Sequence, residues 1–131
     1  MTFETMPLPP ESGETAPDGS IVRTLVRTGR GSLAHCTLPP GSVTIPVAHH
    51  TIEEIWYFLE GHGQVWRRQG DRQEVVDVYP GISLTIPTGT NFQFRNTGPD
   101  ELVFVILTMP PWPGAGEAYR VEGYWERPEH P

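Results

Sequence analysis

Gly41-Ser42-Val43-Thr44-Ile45-Pro46-Val47-Ala48-His49-His50-Thr51-Ile52-Glu53-Glu54-Ile55-Trp56-Tyr57-Phe58-Leu59-Glu60-Gly61 is the stretch on which the reading of this chain turns. A histidine pair, a glutamate four or five positions on and an aromatic run closed by glycine read as a metal-ligand hairpin in a small β-barrel. Imidazole nitrogen and carboxylate oxygen suit a divalent first-row metal, provided that three or four such ligands converge from neighbouring strands or the loop between them. Side chains alternate across a strand, so with Glu54 pointing into the barrel Trp56 and Phe58 do so too, while Ile55, Tyr57 and Leu59 face the other way. Both faces are apolar, which predicts a strand buried on both sides. An inward carboxylate there needs a partner, either a metal ion or a protonated histidine.

Outward from this hairpin the pattern is all-β. Fifteen Pro and fourteen Gly separate short runs of β-branched and aromatic residues, with no apolar pattern of helical period. Strands are predicted over 20–27, 32–38, 42–47, 55–60, 64–68, 74–79, 83–86, 92–96 and 102–109. The breaks carry turn chemistry, as at Pro39-Pro40-Gly41, Gly61-His62-Gly63, Tyr79-Pro80-Gly81 and Asn96-Thr97-Gly98-Pro99. Strands of this length and spacing form a sandwich or a barrel. Residues 1–19, Pro-rich and acidic, read as an N-terminal arm or a late edge strand, 20–109 as the barrel, and 110–131 as a tail. That tail carries Trp112, Tyr119, Tyr124 and Trp125, so it should lie on the barrel or on a partner subunit, or close one mouth of the barrel over a ligand.

Composition narrows the function. At 131 residues and 37% hydrophobic, the chain suits one domain with one core. The net charge of −7 and nine scattered arginines argue against a nucleic-acid or membrane surface and leave small-molecule or protein partners. With no lysine, Schiff-base chemistry by the chain is excluded. Cys36 is the only cysteine, so there is no intrachain disulfide, and it reads as an inert buried side chain. Neither a signal-peptide pattern nor a membrane-length apolar run is present, and the expected location is the cytoplasm. Templates such as G-x-S-x-G, the P-loop or a cysteine pair for zinc are absent.

The segment from Pro46 to Gly63 closely resembles the first motif of the cupin superfamily, P-x-H-x-H-x(3,4)-E-x(6)-G. Gly81, Pro87, Gly89 and Asn96 match the second, G-x(5)-P-x-G-x(2)-H-x(3)-N. The likeness spans about residues 31–109 and implies a cupin double-stranded β-helix, a jelly-roll-like barrel, commonly a homodimer. Carried over by position, the metal site is incomplete. With His49 as the second histidine of the first motif, Val47 occupies the first; with His50, Ala48 does. The second-motif histidine falls on Phe92, or on Asn91 in a shifted alignment.

His49 and Glu54 are therefore the candidate catalytic pair and also the two clear metal ligands, with His50 or His35 as recruits. The candidate pocket is lined by Trp56, Phe58, Phe92 and Phe94, with Gln93 or Arg95 adding polarity in the shifted register. Three function classes stay open. The first is a small-molecule-binding cupin with a weak or absent metal site, acting as a binder or as a metal-free isomerase, cyclase or lyase. The second is a metal-dependent enzyme of dioxygenase or sugar-isomerase type, holding one iron, manganese, nickel or zinc ion. The third is a structural module whose own aromatic side chains fill the pocket.

Overall fold

The structure, a computed structural model, describes residues 2–10 and 14–127. Its strands are β1 (Glu14–Thr15), β2 (Ile21–Arg27), β3 (Ser32–Leu38), β4 (Val47–His49), β5 (Glu53–Glu60), β6 (Gly63–Gln69), β7 (Arg72–Val78), β8 (Ser83–Ile86), β9 (Asn91–Asn96), β10 (Leu102–Met109) and β11 (Ala118–Arg120), with a 3-10 turn at Ala115–Glu117. They form two antiparallel sheets, one in the order β1-β2-β3-β10-β5-β8 and the other β11-β4-β9-β6-β7. This is the double-stranded β-helix that the motifs imply.

Alternation builds the core. Trp56, Phe58 and Phe104 from the first sheet meet Val65, Phe92 and Phe94 from the second, each at most 2% exposed. Trp56 stands at the centre of this aromatic layer, with ring centroids 4.7 Å from Phe104, 5.2 Å from Phe94 and 5.5 Å from Phe92. Two glycines permit the tight β5–β6 turn. Gly61 has φ +85°, and a Cβ on it would lie 2.3 Å from the Glu101 carbonyl oxygen; one on Gly63 would lie 2.4 Å from that of Arg95. Asn96 of the second motif fixes the next corner, its Nδ2–H donating to the carbonyls of Leu38 and Asp100 while its Oδ1 accepts from Gly98 N–H.

Several expectations are corrected. The run 42–47 is no continuous strand: Val43 bridges Arg95, Thr44 N–H donates to Phe94 O, Ile45 N–H turns to Asp18 O, and Pro46 has no N–H to give. The ladder starts only at Val47, and one strand beyond the expected set, β11 in the tail, extends the edge of the second sheet. Nor is β5 buried on both sides, because Ile55, Tyr57 and Leu59 are 41–47% exposed on the outer face. Among the described residues none covers them.

Both ends lie on the barrel as far as they are described; positions 1, 11–13 and 128–131 lie outside the described residues. Glu14 and Thr15 pair with Val22 and Ile21, and Ser20 donates to the Asp18 carboxylate through both its N–H and its hydroxyl. In the tail, Trp112 N–H donates to Ser32 Oγ, β11 pairs with β4, and the backbone N–H groups of Tyr124 and Trp125 both donate to Gln93 Oε1.

Candidate functional site

Between the sheets lies a cavity of about 340 Å³. Its floor is aromatic and its polar groups come from several places in the chain. β5 contributes Glu54 and Trp56, β4 contributes Val47 and His49, and residues 14–18 wall one side while Trp112 to Ala115 wall another. The volume is within the range of small-ligand pockets.

Glu54 is 6% exposed, and both its oxygens are engaged: Trp56 Nε1–H donates to Oε1 at 3.0 Å and Thr108 Oγ1–H to Oε2 at 2.7 Å. Thr108 is the cross-strand partner of Glu54 on β10, so register alone delivers its hydroxyl to the carboxylate. Burial drives the Glu54 carboxyl up to about 7, although both hydrogen bonds favour the ionised form and oppose the rise. His49 is likewise 6% exposed, its ring between Phe92 at 5.2 Å and Trp112 at 5.6 Å. Burial lowers it to about 4, with the Glu117 carboxylate pulling weakly the other way. At neutral pH the imidazole is uncharged, and its Nδ1 is buried without a hydrogen-bond partner. Desolvation, rather than attraction between the two, sets both groups.

The residues present do not fit a metal ion. Among the described residues no three His, Cys, Asp or Glu side chains converge. Val47 and Phe92, at two positions where the motifs carry histidine, are cross-strand partners and close an apolar wall where ligands would stand. His35 is no recruit: it lies 3.4 Å from the Arg23 guanidinium on β2, and burial together with that charge lowers its pKa. His50 is exposed and stacks on Tyr119 at 4.3 Å.

The pocket expectations divide. Trp56, Phe92 and Phe94 line the cavity, whereas Phe58 lies outside the lining, packed on Phe104 at 4.7 Å. Gln93 and Arg95 face the opposite side of β9, since the register is not the shifted one. There the Gln93 amide donates to the carbonyls of Thr44 and Trp125, and the Arg95 guanidinium sits 4.6 Å over the Trp125 ring.

Trp112, named in the sequence as a tail residue able to close a mouth of the barrel, lines the cavity with its ring against His49, whereas Thr108 and Asp18 are not among the residues expected there. Alternation from Phe104 and Ile106 would have placed Thr108 inward, but Asp18 stands in a Pro-rich acidic run with no periodicity to read. Burial raises its carboxyl against the hydrogen bonds from Ser20. Cys36, 1% exposed, is buried beside this group, and burial pushes its thiol up.

Comparison with known proteins points the same way. The sequence pattern of the family described as Cupin domain matches residues 34–108. The uncharacterized protein MJ1618 of Methanocaldococcus jannaschii is 34% identical over 100 residues, 72% of this chain and 77% of that one. Among solved structures, KdgF from a Halomonas species superposes with a TM-score of 0.66 at 21% identity, over 79% of this chain and 88% of that one. The capsular polysaccharide assembling protein CapF from Staphylococcus aureus gives 0.69 at 20% identity, over 90% of this chain. The chain spans only 35% of the CapF chain, and at these identities both structures speak to the fold alone.

Proposed function

This chain belongs to the Cupin domain family, and from that premise we propose that it binds a small molecule inside the barrel and moves a proton on it, in the manner of an isomerase, cyclase or lyase. The observation that carries this reading is Glu54, a carboxyl of pKa about 7 in an apolar cavity of about 340 Å³. A group half ionised at neutral pH can both accept and return a proton, and both roles are available without large driving force. His49 has the complementary role. It is a neutral imidazole whose Nδ1 is buried without a partner, so a ligand oxygen or nitrogen that displaces the side chains over it would satisfy that nitrogen.

The test is solvent exchange. A panel of enolisable carbonyl compounds and sugars is incubated with the protein in D₂O, and deuterium uptake is followed by mass spectrometry. Exchange that rises with an apparent pKa of about 7 and is lost in Glu54→Gln supports the proposal, and compounds that bind without exchanging leave the protein a binder only.

The metal-dependent alternative draws on the same His49 and Glu54 and needs a third donor from the ligand or solvent. Elemental analysis of tag-free protein is expected to find well under one equivalent of iron, manganese, nickel or zinc, with no thermal stabilisation by any of them. The proposed macromolecular partner is a second copy, docked on the exposed outer face of β5 and β10.

A further inference from the structure

Glu54 is held as an anion is held, by two donors of the chain, yet among the described residues no arginine or histidine nitrogen forms an ion pair with it. No arginine lines the cavity, the chain has no lysine, and the other acids in the lining are Glu14 and Asp18. His49, 6% exposed and with an unpartnered Nδ1, makes no ion pair with Glu54. Around this uncompensated carboxylate stand the rings of Trp56, Phe92 and Trp112, whose faces attract positive charge and repel negative.

We infer that the cavity takes a small organic ammonium ion, its charged head beside Glu54 and its body against Trp56, Phe92 and Trp112. An anion would meet Glu54 and Asp18 in a low-dielectric space with no positive side chain to offset them. A metal ion lacks a third donor. A neutral polyol fills the hydrogen-bonding capacity but leaves the carboxylate without a counter-charge. The inference rests on the reading of the barrel interior as a ligand site, and is independent of the proton-transfer step.

Three probes of one size and three charges decide it: benzylamine, benzyl alcohol and benzoate. They are titrated calorimetrically into the full chain at a pH one unit above the Glu54 value of about 7, where an alkyl amine is still protonated. Benzylamine is expected to bind at least about tenfold tighter than the alcohol, and benzoate not measurably, a preference of the size that one well-placed charge pair supplies. In Glu54→Gln the amine and the alcohol should bind within about a factor of two of each other, the preference being a property of the charge. The wild-type series needs no variant, so a poorly folded Glu54→Gln does not shelter the inference. Alcohol or benzoate binding as tightly as the amine overturns the ammonium class while leaving the ligand site standing. Absence of binding by all three overturns the inference, and an empty D₂O panel alongside it would overturn the site as well.

Discussion

Two side chains of the cavity titrate in opposite senses, and that opposition is measurable. The Glu54 carboxyl, raised by burial from 4.5 to about 7, holds its proton more tightly folded than unfolded, so its contribution to stability falls as pH climbs through that window. His49, lowered by burial from 6.5 to about 4, binds its proton more tightly unfolded, so its contribution rises from about pH 4 to 6.5. Each shift corresponds to roughly 3 kcal/mol, and between pH 4.5 and 6.5 the two slopes offset one another. Urea midpoints across this range should therefore change steeply only when one partner is removed. Glu54→Gln is expected to leave the rising slope and to exceed wild type above pH 7 by up to about 3 kcal/mol, and His49→Gln to leave the falling one. Asp18 slopes with Glu54, so the quantity to follow is the variant-minus-wild-type difference; if it stays flat with pH, burial does not govern these groups. The sequence made Glu54 and His49 legible because a motif fixes their spacing. It did not make their charge states legible, because these depend on Thr108, Trp112 and Asp18, which lie 54 or more positions from Glu54 or in a run without pattern.

Most strands were legible from alternation between turns, and the misreadings occur where one element does two jobs. β9 is the clearest case. Its even-numbered Phe92 and Phe94 build the cavity floor, while Gln93 between them, 0% exposed, holds the tail on the outer face. The Gln93 amide has four partners, two carbonyls and two backbone N–H groups, so its polar capacity is fully used. A glutamine amid phenylalanines looks like a pocket residue until the tail is seen to need it. Gln93→Leu should strand the N–H groups of Tyr124 and Trp125 and the carbonyl of Trp125, costing about 2–4 kcal/mol and making the chain beyond β11 cleavable by protease. Unchanged stability and unchanged cleavage would mean that the tail is held by Trp66, Tyr124 and Trp125 packing alone. The β5–β6 turn gives a second test at this scale. At Gly61 the added methyl of alanine meets backbone rather than a flexible side chain, and φ is positive, so Gly61→Ala should cost more than about 2 kcal/mol, against a few tenths at Gly116, where a Cβ meets open space.

For the molecule as a whole, the feature that one chain leaves unexplained is the outer face of the first sheet. Ile55, Tyr57 and Leu59 on β5 and Leu107 on β10 are 38–47% exposed, and Ile55 is the cross-strand partner of Leu107, so the four form one patch rather than scattered side chains. A row of partners runs from Tyr57 through Val105 and His35 to Arg23 on β2, and the Arg23 guanidinium holds the Pro9 carbonyl of the arm. The arm itself carries Phe3, Met6 and Leu8, which are 102%, 41% and 41% exposed. A two-fold axis through the patch would set its apolar centre against itself, the self-complementarity that an isologous pair requires. Alternation could announce that β5 has two apolar faces, but it could not tell a face covered by the chain from one covered by a copy. Light scattering should give twice the chain mass of 14.6 kDa. Tyr57→Glu with Leu59→Glu places like charges across the axis on exposed positions, so it should yield folded monomer with the cavity intact. A wild-type monomer at high micromolar concentration would leave the face unpartnered, and a double variant that stays dimeric would move the interface elsewhere on the barrel.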